Sequence, residues 1–234
     1  MGKTNNVVIV GASSSIGRSV VDQFQPSSKH IIASYLSKQH MKPKENVSFL
    51  KLDLSIDKSI GSFVKEVHSV MPHLDTLIFL AGILPGKNLR EYQPEDIEKV
   101  MTVNFTGQAK VIKGLLPLLD ASSQIIMVSS ISAQKGSYDP IYSASKGAIL
   151  SFVKSLSSGL GGVRVNAIAP GLIEESTMAR EMSASRREFH RQQTSSKELL
   201  SMSDLAQVIF DVSQKHWKHM NGACIDLNGG QYVR

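Results

Sequence analysis

Cysteine is almost absent from this sequence. Cys224 is the only one among 234 residues, so no disulfide can form within the chain. A chain without disulfides is compatible with a reducing compartment. Because Cys224 lies in an apolar run, we interpret it as a small hydrophobic residue of the core, a common role of free cysteine.

Long hydrophobic runs are also missing. The longest apolar stretches, residues 7–12 and 74–82, are far shorter than the roughly 20 residues that a membrane-spanning helix needs. The first apolar run, residues 7–10, lacks the length and the small-residue cleavage site of a signal peptide. We therefore predict a cytoplasmic protein that does not bind a membrane.

Acidic residues are in the minority. Lys and Arg total 26 against 20 for Asp and Glu, which gives a formal net charge of +6. These charges are scattered rather than gathered in a block, so we predict no nucleic-acid partner, and we predict no metal site. We interpret the four arginines of one short segment as a solvated helix face that can also attract an anionic substrate or carrier. They are Arg180, Arg186, Arg187 and Arg191.

The length and the pattern of the chain favour one α/β domain over residues 1–234. A hydrophobic fraction of 41% is enough for a core of several layers, and no repeat or long linker divides the chain. Short runs rich in Val and Ile alternate with amphipathic stretches, a pattern typical of βαβ units. We therefore predict a single Rossmann-type, doubly wound domain with a seven-stranded, mostly parallel sheet and helices on both faces.

The periodicity of the apolar residues predicts the individual elements. Strands are expected at residues 6–10, 30–35, 47–51, 76–80, 124–129, 163–168 and 223–227. Helices are expected at residues 16–24, 56–70, 94–119, 141–160, 177–193 and 203–214. Pro94 suits the first turn of its helix, and Ser203 and Asp204 are suitable first residues of the last one.

The segment 174–201 differs from the rest of the chain. It is polar, rich in Ser and Arg, and lacks a regular apolar stripe. Because it follows a strand and the turn Pro170-Gly171, we expect it at the carboxyl edge of the sheet, where such folds bind ligands. We predict that it forms a mobile substrate lid.

The first predicted strand leads into a turn rich in Gly and Ser, residues 11–17, and then into a helix. A pyrophosphate site needs this order of strand, glycine turn and helix. Gly11 permits the tight turn, and Gly17 lets the helix pack close to the sheet. Ser13, Ser14 and Ser15 bring hydroxyl and N–H groups to the positive end of the helix. Taken alone, the turn is also explained as an ordinary connection.

Tyr142 and Lys146 are four residues apart on a predicted helix, so their side chains share one face. The pKa of a free tyrosine is about 10, and a nearby ammonium lowers it by favouring the phenolate. Lys146 would thereby make Tyr142 a usable general acid or base near neutral pH. Taken alone, the same spacing also occurs by chance on helices without a catalytic role.

These features occur together with others in a consistent order along the chain. The further motifs are Asn104, the pair Ser129-Ser130, the run Tyr142-Ser143-Ala144-Ser145-Lys146 and residues 166–171. In this order the sequence resembles the short-chain dehydrogenase/reductase family, in particular members similar to 3-oxoacyl-acyl-carrier-protein reductases. The resemblance runs from Val7 to about Tyr232, and residues 221–230 are similar to the last strand and turn of that family.

The resemblance implies a catalytic tetrad of Asn104, Ser130, Tyr142 and Lys146. Ser130 would bind the carbonyl oxygen as that atom gains negative charge. Asn104 would hold a water molecule that connects the lysine to solvent, and Lys146 would also bind the nicotinamide ribose. The interval from Ser130 to the tyrosine is one residue shorter than usual, so Ser129 and Ser132 are alternatives.

The resemblance also implies a cofactor site. Its residues are Gly11, Ser13, Ser14, Ser15, Ile16, Gly17, Tyr35, Ser37, Lys38, Asp53, Leu54, Ala81, Gly82, Asn104, Tyr142, Lys146, Pro170, Gly171 and Ile173. Asp53 matches the position that contacts the adenine ring, and its alternative role is a helix cap. Ser15 departs from the family pattern because it replaces a glycine near the pyrophosphate. Phe79 and Leu80 replace two asparagines before Ala81, so the sequence does not show which groups form the hydrogen bonds of that turn.

The end of the second predicted strand, residues 33–38, contains no acidic residue. An acidic residue there would bind the ribose 2′-hydroxyl of NAD and repel the 2′-phosphate of NADP. Tyr35 occupies the corresponding position, and Ser37 and Lys38 can donate to a phosphate. We therefore predict NADP(H) as the cofactor, with NAD(H) as the alternative.

The resemblance thus predicts an NADP(H)-dependent oxidoreductase in which a hydride reaches the carbonyl carbon and Tyr142 protonates the oxygen, or the reverse. The alternatives are an NAD-linked dehydrogenase of a sugar or other secondary alcohol, and a catalytically idle dinucleotide-binding sensor.

The substrate is left open as a small carbonyl or alcohol or a carrier-bound acyl thioester, selected by residues 84–92, 133–141 and 174–201. A homotetramer, or a homodimer, is expected through helices 94–119 and 141–160, because their apolar content suits burial between subunits.

Overall fold

One parallel sheet forms the centre of the protein. The computed structural model describes residues 5–37 and 43–233. The strands are β1 (Asn5–Val10), β2 (Ser28–Tyr35), β3 (Val47–Lys51), β4 (Thr76–Phe79), β5 (Gln124–Val128), β6 (Arg164–Pro170) and β7 (Cys224–Leu227). Their order across the sheet is β3-β2-β1-β4-β5-β6-β7, and each neighbouring pair is parallel. The predicted Rossmann-type, doubly wound sheet is confirmed, and these strands are parallel throughout rather than mostly.

Helices connect the strands. They are α1 (Ser15–Phe24), α2 (Asp57–Val70), α3 (Pro94–Met101), α4 (Gly107–Leu115), α5 (Ser132–Lys135), α6 (Pro140–Gly159), α7 (Thr177–Glu181), α8 (Ala184–Gln192) and α9 (Met202–Val212). A π-helical turn, Thr102–Thr106, joins α3 to α4, and short 3-10 turns follow at Leu116–Leu118 and Lys215–Trp217.

The sheet is buried on both faces, which explains why its strands are continuous apolar runs. In β1, Val7 and Ile9 belong to the core layer that contains residues of α1 and α9. Val8 and Val10 belong to the opposite layer, with residues of α2, α4 and α6. The alternation follows from the two-residue period of a strand. Because helices cover both faces of the sheet, a ligand can reach it only at the ends of the strands, and such sheets bind ligands at the carboxyl ends.

The helix predicted over residues 94–119 is interrupted in the structure. After α3 the chain forms the π-helical turn, which holds the fully buried Asn104, before α4 begins at Gly107. A π turn adds one residue to a helical turn, and the spacing of apolar residues does not reveal this addition. Pro117 lies in the 3-10 turn that ends this helical region.

The helix predicted over residues 177–193 is two short helices, because Met182 and Ser183 have extended backbone. Ser176 caps α7 and Ser183 caps α8, each accepting a backbone N–H. Helix α9 is likewise capped by Ser201 rather than started at Ser203. Serine caps compete with helix continuation at each of these points.

Three strands are longer than predicted, and one short helix was not predicted. Strand β1 begins at Asn5 rather than at residue 6. Strand β2 begins at Ser28 rather than at residue 30. Strand β6 extends through Pro170, which pairs with Leu227 of β7, so the predicted turn starts one residue later. Helix α5 has only four residues, too few for a periodic signal. The differences in strand length arise from hydrogen-bond pairing between strands, which the pattern of apolar residues does not report.

Cys224 is only half-buried and packs at the margin of one core layer, so its interpretation as a core residue is partly right. Its sulfur lies 3.7 Å from Oδ1 of Asp226, which places it beside polar groups. Among the helices of the described residues, none is long and apolar enough to cross a membrane.

The site of Gly107 provides a test of the π-helical turn. A Cβ atom there would overlap the carbonyl oxygen of Leu54 and lie 2.9 Å from that of Thr102. Gly107→Ala should therefore lower the free energy of unfolding by about 1–3 kcal/mol, the usual effect of overpacking. Urea denaturation measures the change. The matched control is Gly61→Ala in α2, where a Cβ meets nothing within 4 Å and the free energy should rise slightly. Equal stabilities of the two variants would contradict the close contact.

Candidate active site

The turn after β1 is pressed against the turn after β4. Gly11 has a φ of +91°, a conformation that favours glycine. A Cβ atom at Gly11 would lie 2.6 Å from the backbone nitrogen of Ala81. A Cβ atom at Gly17 would overlap the carbonyl oxygen of Gly11. The two glycines therefore let α1 begin directly at the sheet, as the sequence predicts.

Hydrogen bonds hold this turn in shape. The Ser14 hydroxyl caps α1 by accepting from the Gly17 N–H at 3.0 Å, and it donates to the Gly11 carbonyl at 3.0 Å. The Ser34 hydroxyl of β2 accepts from the Gly11 N–H at 2.9 Å. Ser15 and Ile16 form the first turn of α1, where backbone N–H groups have no acceptor within the helix. This helix end can bind an anion.

Two of the residues predicted to bind the adenosine half, Tyr35 and Ser37, closely follow Ser34, whose hydroxyl is bonded to this turn. Tyr35 ends β2 half-buried, Ser37 is exposed, and Lys38 lies outside the described residues. Asp53 does not cap a helix, because α2 begins at Asp57 with Ile56 at its N-cap. The Asp53 carboxylate instead accepts from the N–H and the hydroxyl of Ser55.

Three of the predicted cofactor residues contribute little side-chain surface. Leu54 is 5% exposed and belongs to the core. Pro170 ends β6 and is buried, and Ile173 is 8% exposed and packs in the opposite core layer. Gly171 follows β6 and donates its N–H to the Leu227 carbonyl at 2.9 Å.

Helix α6 brings Tyr142 and Lys146 together, as their spacing predicts. The lysine nitrogen lies 6.0 Å from the centre of the tyrosine ring, and both residues are at least 91% buried. Nζ of Lys146 donates to the Val128 carbonyl at the end of β5, at 2.8 Å. The pair therefore lies at the carboxyl edge of the sheet, close to the end of β5.

The neighbouring serines face different partners. Ser129 donates its hydroxyl to the backbone carbonyl of Lys146 at 2.8 Å. The Ser130 hydroxyl accepts from the N–H of Ser132 at 3.1 Å and interacts with the hydroxyl of Tyr142. Ser132 starts α5. Of these three serines, Ser130 is the one placed toward the tyrosine.

The pKa of Tyr142 is shifted upward, opposite to the shift predicted from Lys146. Burial raises the pKa by disfavouring the phenolate, the Ser130 hydroxyl lowers it, and the negative charge of Asp139 raises it. Burial lowers the pKa of Lys146 to about 8. Both shifts have the same cause. Burial removes Tyr142 and Lys146 from water, and this desolvation disfavours the phenolate of the tyrosine and the ammonium of the lysine.

Asn104 joins Ser145 of α6 to the turn after β4. Its side-chain nitrogen donates to the Ile83 carbonyl at 3.0 Å and to the Ser145 hydroxyl at 2.9 Å, and its oxygen accepts from the Ile83 N–H at 2.8 Å. A Cβ atom at Gly82 would lie 3.3 Å from Nζ of Lys146 and 3.4 Å from Oδ1 of Asn104. The absence of a side chain at Gly82 therefore keeps space open beside both groups.

Gln108 is a residue of this region that the sequence analysis missed. It is 1% exposed on α4, and its Nε2 donates to the Ala81 carbonyl at 2.9 Å and to the Val103 carbonyl at 3.3 Å. The N–H of Ala81 donates to the Val10 carbonyl at 3.2 Å. Gln108 thus holds the turn in which Phe79 and Leu80 replace asparagines. The sequence does contain one indication of this role: Gln108 is a polar residue among the apolar positions that α4 buries.

The segment 174–201 folds locally at the carboxyl edge. Its ends meet where Ile173 pairs with Leu200, and the Glu174 N–H donates to the Leu200 carbonyl at 2.9 Å. Arg191 forms ion pairs with Glu174 at 2.8 Å and with Glu188 at 2.7 Å. The arginine cluster is therefore only partly a solvated face: Arg180 and Arg186 are exposed, whereas Arg187 and Arg191 are half-buried.

The sheet, the glycine turn and the buried pair of Tyr142 and Lys146 together define an oxidoreductase that uses a nicotinamide dinucleotide. Comparison with known proteins agrees. The sequence profile of the family described as Enoyl-(Acyl carrier protein) reductase matches residues 11–231. The uncharacterized oxidoreductase YxbG of Bacillus subtilis is 27% identical over 254 residues, covering 98% of this chain and 92% of the relative.

Two further relatives match all or nearly all of the chain. The 3-oxoacyl-[acyl-carrier-protein] reductase FabG of Staphylococcus aureus is 27% identical over 247 residues, covering 100% of both proteins. A crystal structure of a short-chain dehydrogenase/reductase from Brucella melitensis superposes with a TM-score of 0.92 at 28% identity, covering 98% of this chain and 97% of that one. The chain belongs to the short-chain dehydrogenase/reductase family and is an NAD(P)-dependent oxidoreductase.

Replacement of Gln108 by methionine tests its role in the turn after β4. Gln108→Met keeps the length of the side chain but leaves the Ala81 carbonyl without its donor. Loss of this partly buried hydrogen bond should lower the free energy of unfolding by about 0.5–1.5 kcal/mol, measured in urea. The matched control is Gln207→Met on the exposed face of α9, which should change it by less than about 0.5 kcal/mol. If both variants were equally stable, Gln108 would not hold the turn.

Proposed function

We propose that this protein is an NADP(H)-dependent carbonyl reductase that also catalyses the reverse oxidation of the alcohol. The observation that carries this proposal is the burial of Tyr142 beside Lys146 and Ser130 at the carboxyl edge of the sheet. Hydroxyl groups of the serine and the tyrosine converge there, so one carbonyl oxygen can contact both. A catalytically idle dinucleotide sensor has no need for this arrangement.

The residues present fit a nicotinamide dinucleotide. The N-terminal turn of α1, opened by Gly11 and Gly17, would hold the pyrophosphate. Gly82 leaves Nζ of Lys146 and Oδ1 of Asn104 uncovered by a side chain, which suits the approach of a ribose. When bound, the nicotinamide ring would supply the hydride for reduction or accept it for oxidation.

Tyr142 would act as the general acid of the reduction. Because burial raises its pKa, the phenol is protonated at neutral pH and has a proton to give to the carbonyl oxygen. Ser130 would donate a hydrogen bond to the same oxygen as negative charge develops there. In the oxidation the two residues would perform the reverse steps.

Lys146 would bind the ribose and restore the proton. Burial lowers its pKa to about 8, so at neutral pH it carries a positive charge in most molecules. That charge, 6.0 Å from the tyrosine ring centre, would stabilise the phenolate as the proton leaves. Asn104 would hold the water that links the lysine to solvent.

The preference for NADP(H) rests on the end of β2. Residues 33–38 contain no acidic side chain that would repel a 2′-phosphate, and Ser37 is exposed there. Arg18 of α1 donates to the Ser13 carbonyl at 2.7 Å and so brings a positive charge to the glycine turn. An NAD-linked alcohol dehydrogenase is the alternative.

The substrate class is set by three segments, residues 84–92, 133–141 and 174–201. We propose a small carbonyl compound or an acyl thioester on a carrier, and the second choice is supported by the FabG relative and by the exposed Arg180 and Arg186. The segment 174–201 would open and close as a lid over this site. A homotetramer, or a homodimer, through the helical region 94–119 and α6 remains a prediction, as does a cytoplasmic location.

Replacement of Tyr142 by phenylalanine tests the acid. Tyr142→Phe should lower kcat for carbonyl reduction by about 10²–10⁴-fold because the proton donor is gone. Absorbance at 340 nm follows NADPH oxidation with a panel of ketones and 3-oxoacyl thioesters. The affinity for NADPH, measured by fluorescence titration, should stay within about twofold. Tyr232→Phe, which removes a phenol near the end of the chain rather than one on α6, is the matched control. Near-normal turnover of Tyr142→Phe would remove this residue from the mechanism.

The choice of cofactor is tested by comparing kcat/KM for NADPH and NADH. The wild-type protein should prefer NADPH by about tenfold or more, the effect of one or two charge-assisted hydrogen bonds. Tyr35→Asp should reverse the preference, because its carboxylate repels the 2′-phosphate and binds the 2′-hydroxyl. Tyr35→Asn, which has the same size without the charge, is the control. A wild-type preference for NADH would overturn this part of the proposal.

A further inference from the structure

A buried carboxylate lies directly before the helix that carries the tyrosine. Asp139 is 2% exposed and precedes Pro140, the first residue of α6. No ion pair between described residues includes it, and the nearby Lys87 pairs instead with Asp96 at 2.6 Å. Burial of a carboxylate without a cation is costly unless hydrogen bonds replace its water. The donors that replace this water come from two different parts of the chain.

The first donor lies on α6 itself. Oδ1 of Asp139 accepts from the backbone N–H of Tyr142 at 2.8 Å. This is an N-cap hydrogen bond, which fixes the first turn of a helix. The first turn of α6 is the one that carries the tyrosine side chain, so its position depends on Asp139.

The other donors lie on the segment that connects β4 to α3, residues 83–92. Oδ2 of Asp139 accepts from the N–H groups of Gly86 at 3.0 Å and of Lys87 at 3.3 Å. The phenol of Tyr92, which is 8% exposed, donates to Oδ1 and Oδ2 at 2.7 and 2.9 Å. Burial and the neighbouring carboxylate both raise the pKa of Tyr92, so its phenol stays a donor.

The same segment is tied to the site at its other end. Ile83 exchanges two hydrogen bonds with the side chain of Asn104, through its N–H at 2.8 Å and its carbonyl at 3.0 Å. Farther along, Asn88 donates to the hydroxyl of Tyr138 at 2.7 Å, just before Asp139. The segment 83–92 is therefore joined to the loop before α6 along much of its length.

We propose that Asp139 is a positioning residue: its carboxylate fixes the substrate-facing segment 83–92 to the first turn of α6, so that substrate fit and the position of the Tyr142 hydroxyl are set together. The substrate-facing role of the segment rests on the proposed function. The coupling between segment and helix rests only on the hydrogen bonds described above.

The carboxylate of Asp139 also influences the ionisation of Tyr142. The groups that face Tyr142 are Lys146 on the same helix, Ser130 after β5 and Asp139 at the helix start, and Asp139 is in turn bonded to Tyr92. The carboxylate raises the pKa of Tyr142 and so favours its protonated form. A neutral side chain at position 139 should therefore lower the pKa of Tyr142.

Two variants separate the two roles of the carboxylate. Tyr92→Phe removes a donor of the segment and leaves the N-cap bond of α6 intact. It should make amide hydrogen exchange in residues 83–92 about tenfold faster, the effect of losing one hydrogen bond, with little change at the Tyr142 amide. Asp139→Asn should speed exchange in both places. Asp120→Asn, an exposed aspartate that accepts bonds from Ser122 in a surface turn, is the matched control and should change neither.

The ionisation of Tyr142 supplies a readout that a purely structural residue would not move. In protein labelled with ¹³Cζ-tyrosine, the NMR signal that disappears in Tyr142→Phe reports its pKa. Asp139→Asn should lower that pKa, whereas Tyr92→Phe retains the carboxyl group at position 139 and should leave the pKa of Tyr142 high. If Asp139→Asn fails to fold, exchange in the milder Tyr92→Phe decides the coupling. Unchanged exchange in residues 83–92 of Tyr92→Phe would overturn the proposal.

These two measurements need no substrate, so they remain decisive even if no carbonyl compound is reduced and the proposed function fails. With a substrate in hand, Tyr92→Phe should raise KM with kcat nearly unchanged, whereas Asp139→Asn should also lower kcat. A kcat loss in Tyr92→Phe without a KM change would contradict the substrate-facing role of the segment.

Discussion

The contact between Gly11 and the backbone of Ala81 is the constraint on which the site depends. Strand β1 lies beside β4, and the chain continues from β1 to β2 on one side and from β4 to β5 on the other, so a crevice forms at the carboxyl ends of β1 and β4. A Cβ atom at Gly11 would lie only 2.6 Å from the backbone nitrogen of Ala81. The absence of a side chain at Gly11 therefore lets the turn after β1 and the turn after β4, the two walls of this crevice, lie in close contact. The helix end that would bind a pyrophosphate is thereby set beside Gly82, and Gly82 beside Lys146.

Buried polar side chains then make this crevice rigid. Asn104 and Gln108 each donate to backbone carbonyls of distant segments, and Lys146 donates to the end of β5. Polar groups in a dry environment are costly when unpaired and specific when paired, so each of these bonds selects one arrangement of the chain. Asp139 extends the same principle to the segment 83–92. A site built in this way needs little rearrangement when charge develops on a bound oxygen.

Burial also decides the protonation of the catalytic pair. A tyrosine four residues before a lysine suggests a lowered pKa, yet the pKa of Tyr142 is raised, and that of Lys146 falls to about 8. Both shifts favour the neutral form, as desolvation requires. The arrangement suits an acid that holds its proton until a carbonyl oxygen gains charge. In the proposed mechanism the charge of Lys146 would stabilise the phenolate while the proton is transferred, rather than ionise Tyr142 beforehand.

The strands, the glycine turn and the spacing of Tyr142 and Lys146 are readable from the amino-acid sequence, because each is expressed within a few consecutive residues. The parallel arrangement follows from the alternation of strands and helices. Three features depend instead on the folded chain: the π-helical turn around Asn104, the bond from Gln108 to a carbonyl 27 residues away and the bonds from Asp139 to a segment more than 50 residues away. The tertiary structure also reversed the shift of the Tyr142 pKa. Apolar periodicity reports which face of an element is buried, but not which distant backbone group a buried polar side chain meets.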